Sequence, residues 1–359
     1  MRTFGISIKI VLLLLLFYCK SSTAPDLIPN VTTVSIGSNP RGICVNTSTN
    51  RIYVANAGDN NVTVIDGATN FTTNVDVGST PFAVCVNPNT NRIYVANRMS
   101  DNVTVIDGES SLVINTITAG DQPSHICVNP NTNKIYVVNE NSDNVTVIDG
   151  ATDFTTSVAT GERPSQICVN PNTNKIYVTN NNSDNVTVID GTDNSTTTID
   201  VGDSPGALSV NQSTNMIYVV NAAGDDVTVI DGETNSITDT ISTGDGPEAI
   251  CVNTSTNRIY VANAFTDDVT VIDGETDSTT TIDVGDYPRA IGVNPNTNKI
   301  YVANTSGDDI TVIDGETDST STIDAGDYPL YVCVNPSTNR IYVVNANSGD
   351  VTVIYYTEP

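Results

Sequence analysis

The chain is poor in the residues that most enzymes lean on. Among 359 residues there is no tryptophan, three methionines, six phenylalanines and one histidine, His125. With a single imidazole, histidine-rich metal centres, haem ligation and histidine dyads have almost nothing to use. No C-x-x-C-H haem attachment run is present, and no G-x-S-x-G, phosphate-binding loop or His-Glu-x-x-His run. Positive charge is scarce as well: Lys plus Arg is 14 against 41 Asp plus Glu, a formal net charge of −27. Such a field repels phosphate backbones and anionic lipid surfaces, so nucleic acid is not expected as a partner. Cations and basic partners are favoured. Helical periodicity of useful length is missing, and Val, Ile, Thr, Tyr, Asn and Asp dominate instead.

Long apolar runs are absent after the first residues. The one exception, Ile10 to Tyr18, follows Arg2 and Lys9 and is too short to span a bilayer comfortably. Residues 1–19 therefore read as a signal peptide, with an uncleaved signal anchor as the alternative. Cys19 lies just past the run, where a lipoprotein signal would place its lipidated cysteine. Tyr18 stands where such a signal wants a small residue. Residues 20–29 read as a polar linker and 30–359 as one domain. The expected location is secreted, at the cell surface, or on the periplasmic side of a membrane. Membrane contact would come only through a lipid anchor or an uncleaved signal.

What the chain does have, it has eight times. Ile-Tyr-Val-x-Asn begins at Ile52, Ile93, Ile135, Ile176, Ile217, Ile259, Ile300 and Ile341, with periods of 41 or 42 residues. Each unit holds four short β-type runs separated by Asn-, Asp-, Gly- and Pro-rich turns, as in Gln166 to Asn170, Lys175 to Asn180, Asn185 to Asp190 and Thr196 to Val201. Four antiparallel strands in this length make one propeller blade. The last unit ends after three strands, and the missing fourth matches the N-terminal segment Val31 to Ile36. The spacing predicts an all-β, eight-bladed propeller whose closing blade pairs residues 31–36 with 350–355. A seven-bladed ring is the alternative.

The literal motif Tyr177-Val178-Thr179-Asn180, its YVAN and YVVN variants, and the GDxPxxICVNPNTN and NVTVIDG blocks resemble the YVTN-type β-propeller repeats of surface-layer-like proteins. The resemblance covers roughly residues 31 to 355. It implies the fold and says little of activity, because similar propellers serve as surface proteins, sugar-lactone hydrolases and electron-transfer modules.

Positions constant in every unit read as architecture. The repeated tyrosines offer aromatic area between blades and a hydroxyl for a polar partner. The asparagines closing each second strand are expected to bond the following turn's backbone, and the Asp-Gly pairs to use glycine's positive φ. Cys44, Cys85, Cys127, Cys168, Cys251 and Cys333 share one first-strand position, filled by Ser209 and Gly292 in two units. Small buried free thiols are the expectation, since closely spaced metal-ligand pairs are missing and neighbouring blades are too far apart for disulfides.

Two sets of residues fall near the axis on the face that carries the turns into the first strands. Asp121, Glu162, Asp203, Asp245, Asp286 and Asp327 recur in those turns; converging carboxylates would suit Ca²⁺ or another divalent cation. The residues just after each turn proline refuse to repeat. Arg41, Phe82, His125, Gln166, Glu248, Arg289 and Tyr331 are the candidate ligand-binding set. The arginines would contact anions, Phe82 and Tyr331 would stack, and His125 and Glu248 would hydrogen-bond or move protons. No catalytic residue is assigned. The expected function is an extracellular or cell-surface binding or adhesion module for protein or carbohydrate. A metal-dependent lactonase-like hydrolase at the axial channel is the alternative.

Overall fold

The computed structural model describes residues 28–357. The expected signal peptide, Cys19 and most of the expected linker lie outside the described residues. The described chain forms 32 strands in eight four-stranded antiparallel sheets. Seven sheets are sequential: residues 40–76, 81–118, 123–159, 164–200, 205–242, 247–283 and 288–324 form blades 1 to 7. Blade 8 takes three strands from residues 329–357 and its outer strand, Ile28–Ser35, from the start of the described chain. The ring has eight blades, not seven. The closing pair is longer than expected, with Ile28 opposite Thr357 and Ser35 opposite Asp350.

Strand alternation builds the core. In blade 1, Tyr53, Ala55, Val62 and Val64 pack on Ile93, Val95 and Ile106 of blade 2, while Ile52 and Val54 pack on Tyr342 of blade 8. Eight such clusters fill the joints around the ring. Successive residues of one strand thus serve opposite neighbours. The tyrosines are buried as expected, but the hydroxyls of Tyr53, Tyr94, Tyr136, Tyr177, Tyr260 and Tyr342 have no hydrogen-bond partner among the described residues. Their ring area, rather than their oxygen, is the repeated asset. Tyr301 differs, donating to Tyr356 Oη at 3.2 Å.

Two local expectations are corrected. The asparagine closing each second strand bonds side chains of the third strand instead of turn backbone. Asn180 Nδ2 donates to Asn185 Oδ1 at 2.7 Å and to Thr187 Oγ1 at 2.9 Å, and the same pair of bonds recurs in every blade. The Asp-Gly glycines do not adopt positive φ, which falls on Asn50, Asn60 and Asn70 in blade 1. Gly67 is small for a different reason. Its N–H donates to Asn50 O at 2.8 Å, and a Cβ there would lie 2.6 Å from that oxygen.

The six described cysteines are free and half-buried, less enclosed than expected. Burial pushes all six thiols up. The demand for small volume is direct at Gly292, where a Cβ would come within 2.9 Å of Val332 Cγ1 in blade 8.

Candidate functional site

Each first strand begins at a proline on one face of the ring and ends at an asparagine on the other. Immediately after the proline the register with the second strand slips in all eight blades, between Pro123 and His125 in blade 3 for example. A bulge of this kind re-aims side chains away from the sheet's regular alternation. The seven candidate side chains Arg41, Phe82, His125, Gln166, Glu248, Arg289 and Tyr331 all line one cavity of about 430 Å³. Ala207 and Leu208 of blade 5 contribute an apolar segment of its wall.

The mouth is chemically uneven. Tyr331 lies between the first strands that carry Arg41 and Arg289; burial raises its pKa, and the two guanidinium groups offset only part of that rise. Arg289 Nη1 reaches Tyr328 Oη at 3.3 Å. The Phe82 ring meets the His125 ring edge-on, with centroids 6.2 Å apart at 78°. Arg41 and Arg98 lie 6.0 and 5.0 Å from the Phe82 centroid, close enough for cation–π attraction. His125 is held neutral at ordinary pH: its pKa falls to about 4, chiefly through burial, with Arg98 adding to the effect and Glu140 opposing it. In blade 4, Thr179 braces the mouth. Its Oγ1 accepts from Gln166 N at 3.1 Å and donates to Gly206 O of blade 5 at 2.9 Å.

The acidic set behaves differently. Asp121, Glu162, Asp203, Asp245, Asp286 and Asp327 are all exposed and none lines the axial cavity. Among the described residues no group of three or more His, Cys, Asp or Glu side chains is placed to hold a metal ion. The carboxylates form a collar, spread apart because each sits at the tip of its own blade's turn. The neighbouring aspartates of the second-to-third-strand turns are fixed in a structural task. Asp143 Oδ1 accepts from Arg163 N at 2.7 Å, and Asp101, Asp184, Asp225, Asp267 and Asp308 make equivalent bonds.

The description matched by residues 17–197 is that of the YNCE-like β-propellers, which covers half of the sequence. The chain belongs to the YNCE-like β-propeller family. No curated protein matches it significantly. Among solved structures this YNCE-like propeller is similar to Kuenenia stuttgartiensis hydrazine synthase, at 19% identity and a TM-score of 0.64, over 95% of this chain and 100% of that one. With 1564 structural chains matching, such likeness reports the fold alone.

Sequence reasoning missed a second cluster beside the mouth. Eleven basic residues lie in the described part of this YNCE-like propeller, and seven occupy one repeated position at the start of the second strand: Arg51, Arg92, Lys134, Lys175, Arg258, Lys299 and Arg340. They serve the opposite face. Arg92, Lys134, Lys175 and Arg258 donate to the carbonyls of Gly150, Gly191, Gly232 and Gly315 in the next blade. Lys299 has no Asp-Gly turn to reach in blade 8 and turns to Asp314 of its own blade at 3.2 Å. The other four cations are Arg41, Arg98, Arg163 and Arg289, and all four line the mouth or the pocket beside it. A usable signal existed. The residue after the Asn of Ile-Tyr-Val-x-Asn is Ala or Thr in five units but Arg98, Glu140 and Asn181 in units 2, 3 and 4.

Proposed function

We propose that this propeller is a binding module, displayed outside the cytoplasm, that takes its ligand in the axial mouth. The observation that carries the reading is convergence. Seven side chains that break an otherwise strict repeat all face one cavity, and this chain repeats almost everywhere that packing alone sets the residue. Two arginines, one glutamate, one glutamine, a neutral imidazole and two aromatic rings suit a polar ligand with both an apolar face and hydrogen-bonding groups. A carbohydrate or an exposed protein segment has that chemistry. The acidic collar would steer basic partners toward the face and would gather divalent cations weakly. The YVTN-like wording of the repeat and the apolar run at Ile10 to Tyr18 support a surface or secreted setting. The lactonase-like alternative has less support, because among the described residues no three His, Cys, Asp or Glu side chains are placed to share a metal ion.

The test is capture of host surface glycans and proteins on the immobilised protein, with and without chelator, against a variant carrying Arg289→Ala and Tyr331→Ala. Retention by the wild type, insensitive to chelator and lost in the variant, is expected. Equal retention by both proteins, or turnover of lactones abolished by chelator, would sink the reading.

A further inference from the structure

A pocket of about 220 Å³ opens beside the axial mouth between blades 2, 3 and 4, lined by Phe82, Arg98, Ser124, His125, Glu140, Arg163, Ser165 and Asn181. Its frame is a charge triad. Arg98 Nη2 donates to Glu140 Oε2 at 2.5 Å and to Gln122 Oε1 at 3.0 Å, while Arg163 Nε donates to Glu140 Oε1 at 3.1 Å. The Glu140 side chain is only 16% exposed, so both guanidinium groups are held by a shielded carboxylate. Two positive charges against one negative leave a surplus of one, and the neighbouring imidazole adds none because burial keeps it neutral at ordinary pH.

Donors are also left over. Arg163 commits only Nε, so both terminal nitrogens are without a side-chain partner among the described residues. Ser124 is 3% exposed, yet its Oγ has no hydrogen-bond partner, and neither has His125 Nδ1. The reason is local. In blade 4 the equivalent hydroxyl, Ser165 Oγ, is served by Thr179 Oγ1 at 3.0 Å, but blade 3 has Val138 at that position. A buried hydroxyl left unpaired costs about 1–3 kcal/mol, and unlike the tyrosine hydroxyls enclosed between blades this one belongs to a residue that lines a cavity, where a bound molecule can serve it.

We propose that this pocket binds a small monocarboxylate, whose oxygens accept from the terminal nitrogens of Arg163 and from Ser124 Oγ while its body lies against the Phe82 ring. One net positive charge balances one carboxylate. A guanidinium fork matches two coplanar oxygens, whereas phosphate would bring further negative charge under an acidic collar. The cavity is below the usual range for drug-sized ligands, which suits an acid of a few heavy atoms to one aromatic ring. This site adjoins the axial one and shares Phe82 and His125 with it, but Arg98, Ser124 and Arg163 line the side pocket alone.

The single histidine gives an unambiguous reporter. The His125 ring-proton resonance of the intact protein is followed at constant ionic strength during titration with acetate, benzoate, benzamide and inorganic phosphate. Saturable shifts with acetate and benzoate, tighter for benzoate and absent for benzamide, are expected. Arg163→Ala, at a side chain that is 57% exposed, should weaken benzoate at least tenfold. Arg163→Lys should fall between, and Arg289→Ala should change nothing. The proposal is overturned if benzamide shifts the resonance as benzoate does, if phosphate binds as tightly as benzoate, or if Arg289→Ala abolishes binding while Arg163→Ala does not. None of those results bears on capture of surface ligands by the axial mouth, which Arg289→Ala and Tyr331→Ala address on their own.

Discussion

The two ends of the first strands are built on opposite rules. At the end that closes each strand, every blade carries asparagine, and each asparagine reaches its neighbour: Asn46 to Asn91, Asn87 to Asn133, and so on to Asn335, which returns to Asn50. The result is a belt of eight side-chain hydrogen bonds, one at every joint, each made to a turn asparagine of the adjoining blade. The same asparagines accept from their own turn, as Asn170 Oδ1 does from Asn172 N at 3.1 Å. At the other end, six residues away, the proline is constant but the side chains that follow it vary from blade to blade and face a cavity. Uniformity marks the end where blades must grip one another. Variety marks the end where they are released from doing so.

That contrast can be broken most forcefully in the shared core. Tyr177→Ala removes a fully buried ring and should cost about 3–5 kcal/mol, read as a large drop in thermal midpoint. A loss below 1 kcal/mol would mean that the repeated tyrosine is not architectural. Next in size is a pH effect confined to the mouth. Folding depresses the pKa of the His125 base from 6.5 to about 4, so the unfolded chain takes up the proton first. Stability is full above about pH 6.5 and declines between 6.5 and 4, by no more than about 3 kcal/mol. His125→Gln should flatten that window in denaturant titrations at several pH values. Below it lies a separate decline, as Asp66, Asp107 and Asp149, held low by turn N–H and hydroxyl donors, become protonated.

Much of the fold was legible because periodicity states it directly. Counting fourth strands at the two chain ends gave the blade number and the closure partner. The belt was not legible. Asn46 and Asn91 stand 45 residues apart, and only the curvature of the ring brings them to 2.8 Å. The axial residues are legible as a departure from repetition, but they are not the only one. Arg98 and Glu140 depart from the repeat just as plainly, one residue past the second strand, but their partnership with each other and with Arg163 exists only across blade joints. The spread of the acidic positions has a related cause. A repeated position repeats around a circle, which separates side chains as readily as it gathers them.

Two smaller tests sharpen the same contrast. Asn170→Ala severs one link of the belt and strips a turn of its acceptor, and should cost about 1–2 kcal/mol by chemical denaturation with no effect on the His125 resonance. Arg289→Ala, at the opposite end, should change stability by no more than about 0.5 kcal/mol while altering retention of surface ligands. A belt variant that altered retention as strongly as a mouth variant would erase the division of labour between the two faces.

The closing pair has a bearing on how the ring can be held. Ile28 and Thr357 sit opposite each other in the outermost strands of blade 8, and both lie at the belt end of those strands. A tether joined directly before Ile28 or directly after Thr357 therefore pulls from the rim of the rear face. Immobilised that way, on a bead or a sensor chip, the molecule stands like a dish on a side bracket, with its opening turned toward the surroundings and clear of its support.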